Sequence, residues 1–267
     1  MDELLERPRR PFLSIRDVGK VFEIGDERVT ALHHVNVVVE KGEFVCLIGA
    51  SGCGKSTLLR IIAGFEMPST GEVCVYDHPV REPGSDRGMV FQDYALFPWM
   101  TVRENIAFGP RQKGLPAARV REIADEYLSM VGLASFADRF PHQLSGGMKQ
   151  RVAIARVLAN EANILLMDEP FGALDALTRE QLQDELLQIW ARTQVTVIFV
   201  THSVEEATLL ANRVIVMTAG PGRIESDNHI ALARPRDVSA PDFNDVRRRL
   251  TQKLTSHVAR RELRPAA

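Results

Sequence analysis

The apolar and polar positions of the chain follow two patterns. Continuous apolar runs the length of a strand, at residues 44–48 and 195–200, are typical of parallel strands buried on both faces. Val35, Val37 and Val39 stand at alternate positions instead, which indicates a strand with one buried face. Segments with helical spacing separate the apolar runs. The pattern therefore predicts an α/β protein with a parallel sheet and helices packed against it.

A block with helical character interrupts this alternation from about residue 93 to residue 160. Thr101 and Glu104 have the spacing of a capping box, which marks a helix start. Pro116 opens an amphipathic stretch that ends before Gly132. Because apolar strand-like runs lie on both sides of the block, we expect it to form an inserted α-helical subdomain.

Composition narrows the possible classes of protein. Of the 267 residues, 45% are apolar and 25% are charged, as in ordinary globular proteins. A formal net charge of −2 argues against nucleic acid as a partner, because binding a phosphate backbone requires a basic face. The apolar runs are all far shorter than the roughly 20 residues of a membrane-spanning helix. Three cysteines are too few for a disulfide framework.

A glycine-rich loop follows the first apolar strand and precedes a predicted helix over Lys55–Ala63. Residues 49–56 match the pattern G-x-x-x-x-G-K-[ST] in full. Glycines allow backbone amides to surround phosphate oxygens, and the helix start adds the positive end of its dipole. Lys55 would reach the terminal phosphates, and the Ser56 hydroxyl would bind Mg²⁺. The predicted nucleotide site consists of Gly49, Ala50, Ser51, Gly52, Cys53, Gly54, Lys55, Ser56 and Thr57.

Two adjacent carboxylates follow a later apolar strand at residues 164–167. Asp168 and Glu169 stand at its carboxyl end, where open parallel sheets bind ligands. Asp168 is suited to hold Mg²⁺, and Glu169 is placed to orient or deprotonate an attacking water. Without the glycine-rich loop, the pair would be equally consistent with a strand end that meets solvent.

Residues 144–151, LSGGMKQR, resemble the signature sequence of ATP-binding cassette (ABC) ATPases. Further matches stand in the family's order: Gln92 after a strand, Asp175 after the acidic pair, and His202 at the end of the next strand. The resemblance covers about residues 13–225. It implies a P-loop NTPase with a RecA-like, mostly parallel sheet, an N-terminal antiparallel β subdomain and the inserted helical subdomain.

The resemblance also implies a domain organisation. The ATPase domain would span residues 13–230, with the helical subdomain at about 93–160. Residues 231–267 would form a polar, arginine-rich helical tail.

Two copies of such an ATPase pair head to tail, with ATP between the P-loop of one copy and the signature of the other. Ser145, Gly146 and Gly147 would then act in trans, as a hydroxyl and two glycines that open a helix. Met148 stands where the family most often has Gln, and this change leaves the Ser-Gly-Gly segment intact.

The remaining site residues are also assigned by the resemblance. Gln92 would contact Mg²⁺ and the attacking water, and His202 would hydrogen-bond the γ-phosphate. Asp175 would lie at the dimer seam, and Phe22 would stack on adenine. Taken alone, a Gln or His beyond a strand is more often structural, and an early Phe in a β region is more often part of the core.

The loop after Gln92 contains an apolar cluster formed by Leu96, Phe97, Trp99 and Met100. It is either a buried edge of the helical subdomain or the groove in which the family binds a helix of its transmembrane partner. Residues 87–92, 97–99 and 217–224 resemble the nitrate/sulfonate/taurine branch of bacterial importers. This branch implies transmembrane permease subunits, a solute-binding protein that acts indirectly, and a position on the cytoplasmic face of the bacterial inner membrane.

Two other functions remain open at this point. One is a soluble, non-transport cassette ATPase that acts on ribosomes or DNA, and the other is a small-molecule kinase built on a P-loop. The single cassette and the net charge weigh against the first, and the signature and His202 have no role in the second. The sequence does not identify the solute.

Overall fold

The structure is a computed structural model that describes residues 11–172 and 174–262. Within these residues the chain forms ten strands and seven α-helices. The strands are β1 (Leu13–Ile24), β2 (Glu27–Val39), β3 (Phe44–Gly49), β4 (Thr70–Val75), β5 (His78–Pro79), β6 (Arg87–Val90), β7 (Ile164–Asp168), β8 (Thr196–Thr201), β9 (Arg213–Thr218) and β10 (Arg223–His229). The helices are α1 (Lys55–Ala63), α2 (Val102–Gln112), α3 (Ala117–Met130), α4 (Gly146–Ala159), α5 (Ala176–Thr193), α6 (Val204–Leu210) and α7 (Pro241–Glu262). Residues 263–267 of the expected tail lie outside the described residues.

The larger sheet has the strand order β10-β9-β3-β8-β7-β6. Its strands are parallel except β10, which pairs antiparallel with β9. Every residue of β3 and β8 is buried, because helices cover both faces of the sheet. The continuous apolar runs in the sequence correspond to these central strands, and the predicted α/β class is confirmed.

The smaller sheet is antiparallel, with the order β2-β1-β4-β5. Val35, Val37 and Val39 point into the core while Asn36 and Val38 are exposed, as their alternation predicted. One hydrophobic core joins this sheet to one face of the larger sheet, with α1 between them. A second core lies on the other face and includes residues of α2 to α6. Helix α1 is therefore held on both sides, and so is the loop that precedes it.

Helices α2, α3 and α4 lie between β6 and β7. The capping box at the start of α2 is present as predicted: the Thr101 hydroxyl accepts from the Glu104 amide, and the Glu104 carboxylate accepts from the Thr101 amide at 2.8 Å. Among residues 11–172 and 174–262, none of the helices is both long enough and apolar enough to cross a membrane.

The segment after β9 differs from the expectation. Strand β10 was not predicted, because it is largely polar and lacks an apolar run. Helix α7 begins at Pro241, and before it two arginines bind the end of α6. Arg236 donates to the carbonyls of Thr208 and Ala211, both at 2.7 Å, and Arg234 donates to that of Leu209 at 3.2 Å. Burial lowers the pKa of Arg236 to about 10.

Candidate functional site

The glycine-rich loop connects the end of β3 to the start of α1, and two of its glycines cannot be replaced without a clash. A Cβ on Gly49 would lie 2.6 Å from the carbonyl oxygen of Met217, and one on Gly54 would lie 2.9 Å from that of Ala31. Gly54 also has φ +91°, which L side chains rarely adopt. These close contacts and the positive φ of Gly54 require glycine at both positions, and α1 starts at the residue after Gly54.

The start of α1 carries the features of an anion site. Gly54 is the N-cap residue, so no side chain caps the helix, and its first turn contains no acidic residue. Uncapped amides at a helix N-terminus bind anions such as phosphate. Gly52 has φ +74° and no heavy atom within 4 Å of a Cβ placed on it, so this part of the loop is open. The observed backbone therefore fits a nucleotide phosphate.

Lys55 is buried, and its ammonium group turns back onto the loop. Nζ donates to the carbonyl oxygens of Gly49 at 2.9 Å and Ala50 at 3.1 Å, and it lies 3.8 Å from Sγ of Cys53. Cys53 is buried as well, and burial raises the pKa of its thiol, so the structure does not activate this cysteine as a nucleophile. The positive charge of Lys55 therefore lies beside the loop that would bind phosphate.

Ser56 in the first turn of α1 meets Asp168 at the end of β7. The Ser56 hydroxyl donates to Oδ1 of Asp168 at 2.9 Å. Burial raises the pKa of the Asp168 carboxyl, and the hydrogen bond from Ser56 only partly opposes this effect. A divalent cation prefers oxygen ligands and would stabilise the charge of this half-buried carboxylate. The pair therefore fits the predicted Mg²⁺ ligands.

Gln92, Glu169 and His202 come together because they follow three neighbouring parallel strands, β6, β7 and β8. Nδ1 of His202 lies 3.1 Å from Oε2 of Glu169, with the ring N–H donating. A Cβ placed on Gly172 would lie 3.5 Å from Nε2 of Gln92 and 4.0 Å from the Glu169 carboxylate. Glu169 has φ +46°, a strained backbone conformation for a non-glycine residue that is frequent at active sites.

The predicted signature residues form a separate group within the same chain. Ser145 is the N-cap of α4, and its hydroxyl accepts from the Met148 amide at 3.3 Å. A Cβ on Gly146 would lie 3.3 Å from the Tyr94 hydroxyl, and one on Gly147 would lie 3.2 Å from Leu182. Ser145 is exposed. Thus the signature neighbours residues of this chain that do not belong to the P-loop.

Asp175 and Phe22 make contacts that do not involve Gln92, Glu169 or His202. Asp175 caps α5, and hydrogen bonds from the Thr178 amide at 3.0 Å and hydroxyl at 2.7 Å lower the pKa of its carboxyl. Phe22 is half-buried on β1, where Nζ of Lys20 lies 4.9 Å from the ring centroid. Neither observation assigns the residue a ligand, so their expected roles at a dimer seam and at adenine remain predictions.

A buried network beside His202 was missed by the sequence analysis. Ser203 caps α6, and its hydroxyl accepts from the Glu206 amide at 3.2 Å. The Glu206 carboxylate accepts from the Thr201 hydroxyl at 2.6 Å rather than completing a capping box. Arg179 lies 3.7 Å from Glu206 and donates to the carbonyl of Leu174, next to Asp175. Burial raises the pKa of Glu206. The Ser203-x-x-Glu206 spacing is that of a capping box, which marks a helix start but does not reveal this second use of the carboxylate.

A glycine-rich loop between a buried strand and a helix, with an aspartate from a nearby strand end beside its serine, defines a P-loop NTPase. Residues 32–172 match the family model described as ABC transporter. The chain is 50% identical over 229 residues to the nitrate import ATP-binding protein NrtD of Synechocystis sp., which covers 86% of this chain and 85% of that protein. It is 49% identical to the taurine import ATP-binding protein TauB of Roseobacter denitrificans, over 83% of each chain.

Solved structures show the same fold. The dimeric ATP-binding cassette MJ0796 in a post-hydrolysis state, bound to ADP and Pi, is 35% identical with a TM-score of 0.72, over 83% of this chain and 100% of that one. The chain belongs to the ABC transporter family and is an ATP-binding and ATP-hydrolysing domain.

Proposed function

We propose that this chain is the ATPase subunit of an importer for a small solute of the nitrate, sulfonate or taurine type. The solute would pass through separate transmembrane permease subunits and would be delivered by a solute-binding protein. Two relatives are import ATP-binding proteins for nitrate and for taurine, and they support this class of solute. The residues that resemble the same branch, at positions 87–92, 97–99 and 217–224, also support it.

In this proposal the residues of the P-loop and of the strand ends each have a distinct role in ATP hydrolysis. Lys55 and the amides at the start of α1 bind the phosphates of ATP. Ser56, Asp168 and Gln92 would hold Mg²⁺, which neutralises negative charge on the phosphates when it is bound. Glu169 orients the attacking water and accepts its proton, and His202 holds the Glu169 carboxylate and reaches the γ-phosphate.

We further propose that two copies assemble head to tail. Ser145, Gly146 and Gly147 would complete the nucleotide site of the other copy, with Asp175 at the seam and Phe22 against adenine. The exposure of Ser145 and the dimeric state of the similar cassette MJ0796 support this arrangement. The assembled pair would bind its permease on the cytoplasmic face of the bacterial inner membrane.

The contact between His202 and Glu169 at 3.1 Å carries the catalytic part of the proposal. Glu169→Gln keeps the size of the side chain but cannot accept a proton, so we expect ATP turnover to fall by about a hundredfold or more. ATP binding should be retained, and the ATP-bound protein should elute as a dimer in gel filtration. Glu126→Gln, at an exposed position on α3, is the matched control. Unchanged turnover in Glu169→Gln would remove Glu169 from the mechanism.

Purification of the chain from solubilised membranes tests the transport part. We expect it to be recovered with an apolar permease subunit, and a binding protein from the same system should stimulate its ATPase activity. Recovery with ribosomes instead would contradict the proposal.

A further inference from the structure

The segment that follows Gln92 has an unusual backbone. Tyr94 and Ala95 have φ +63° and +45°, so two consecutive non-glycine residues adopt the left-handed conformation. This conformation brings Cβ close to the following carbonyl oxygen and is unfavourable for L-residues. A pair of such residues persists only where surrounding contacts stabilise it. The contacts that stabilise this bend therefore determine where the neighbouring Gln92 lies.

Arg156, in the last turn of α4, binds this bend directly. Its Nη1 donates to the Ala95 carbonyl at 2.6 Å, and its Nη2 donates to the Tyr94 carbonyl at 3.3 Å. The guanidinium also lies 5.3 Å from the centroid of the Phe97 ring. A planar guanidinium can bind two consecutive carbonyls at once, whereas the ammonium of lysine is a point charge. Burial lowers the pKa of Arg156, which is consistent with its enclosed position.

The rest of the loop is attached independently of Arg156. Asn105 on α2 is fully buried, accepts from the Phe97 amide at 2.9 Å and donates to the carbonyls of Phe97, Met100 and Thr101. The loop would thus remain on the helical subdomain without Arg156. Besides its contact with the Phe97 ring, Arg156 adds the two hydrogen bonds to the left-handed residues.

Tyr94 also reaches the other end of the same helix. A Cβ on Gly146 would lie 3.3 Å from the Tyr94 hydroxyl, so the tyrosine ring extends to the signature residues at the start of α4. The bend is therefore attached to α4 at its last turn through Arg156, and its side chain lies against the first turn.

We propose that Arg156 is a positioning residue for ATP hydrolysis, because it holds the Tyr94–Ala95 bend and thereby fixes Gln92 relative to Glu169 and to the signature of the same subunit. This inference rests on the proposed role of Gln92. Arg156 does not touch the P-loop residues, so it acts on the rate of hydrolysis rather than on the affinity for ATP.

The first test is Arg156→Lys, which keeps the charge but cannot donate to both carbonyls through a planar guanidinium. We expect kcat to fall about tenfold while KM for ATP changes by less than about twofold. Rates are expressed per nucleotide site, counted with a fluorescent ATP analogue, so that unfolded protein does not mimic the effect. Arg119→Gln, at an exposed arginine of α3 in the same subdomain, should leave kcat unchanged. An unchanged kcat in Arg156→Lys would overturn the proposal.

The second test asks whether the arginine acts through the bend. Glycine adopts positive φ without the steric cost of alanine, so Ala95→Gly should restore kcat in the Arg156→Lys protein to within about twofold of Ala95→Gly alone. A loss of kcat that came from damage elsewhere in α4 would not be rescued by a glycine in the bend. Failure of this rescue would overturn the proposal.

Gln92→Ala separates this inference from the function on which it rests. A low kcat in Gln92→Ala together with a normal kcat in Arg156→Lys would overturn only the inference. A normal kcat in Gln92→Ala would overturn both the proposed role of Gln92 and the inference.

Discussion

The starts of α1 and α2 differ in how their unpaired backbone amides are satisfied. Every helix begins with backbone amides that have no partner within the helix. At α2, Thr101 and Glu104 satisfy two of these amides reciprocally with their own side chains. At α1, Gly54 provides no side chain, and the first turn has no acidic residue. The start of α2 is complete by itself, whereas the start of α1 leaves its first amides without a side-chain cap.

The comparison shows that a helix start without a side-chain cap keeps its amides free to bind a ligand. A cap contributes about 1 kcal/mol to stability, and α1 lacks that contribution. Its first amides therefore have no side-chain partner, and the nearby Lys55 ammonium is held at the loop by the carbonyls of Gly49 and Ala50. The starts of α4 and α5 are capped by Ser145 and Asp175, so these residues already have partners within the chain.

The largest expected effect comes from removing the charge at the open helix start. Lys55→Ala should lower ATP turnover about a thousandfold, since a fixed charge at the phosphates is lost. ATP at about 100 times Kd stabilises a binding protein by about 2.7 kcal/mol, and the variant should lose this protection in thermal unfolding. Lys113→Ala, at a lysine beyond the end of α2, should keep both properties. Full ATP protection of Lys55→Ala would show that the open start is not the phosphate site.

A smaller effect is expected at the closed helix start. Thr101→Ala removes the side-chain acceptor and should lower the free energy of unfolding by about 1 kcal/mol. Urea unfolding measures this change, and Thr101→Ser, which keeps the hydroxyl, is the control. Equal stabilities of the Ala and Ser variants would mean that the capping box does not stabilise α2.

The smallest effect is expected when the N-cap residue of α5, Asp175, loses its charge but keeps a side chain that can cap the helix. Hydrogen bonds from Thr178 lower the pKa of Asp175 in the folded protein. A carboxyl with a lowered folded pKa contributes stability above its unfolded pKa, near 3.9, and this contribution is lost as the pH falls through the folded value. Asp175→Asn retains the cap, so its deficit in unfolding free energy should be small at pH 7 and should disappear in acid. A deficit that does not change with pH would contradict this assignment.

Much of the fold could be predicted because its signals are local. The apolar runs identified β3 and β8, the spacing of Thr101 and Glu104 identified the start of α2, and the glycine-rich loop indicated the start of α1. The parallel order of β6, β7 and β8 then explains why Gln92, Glu169 and His202 meet.

The features that could not be predicted depend on contacts distant in sequence. Strand β10 is polar because it is an edge strand, with alternate residues exposed, so it lacks an apolar run. Arg156 and Arg179 lie on helices, where arginine is common, and only their backbone acceptors reveal their roles. The left-handed Tyr94 and Ala95 carry no glycine to mark the bend.

The two arginines before α7 have a consequence for the histidine at the site. Arg234 and Arg236 occupy the carbonyls at the end of α6, a helix of only 7 residues that begins directly after Ser203. So short a helix has little stability of its own. A chain cut before residue 234 would lose these hydrogen bonds. We then expect the carboxyl end of α6 to fray toward Ser203, the residue after His202. Arg234 and Arg236 thus bind the helix that follows His202, although they lie outside residues 32–172, which match the family model.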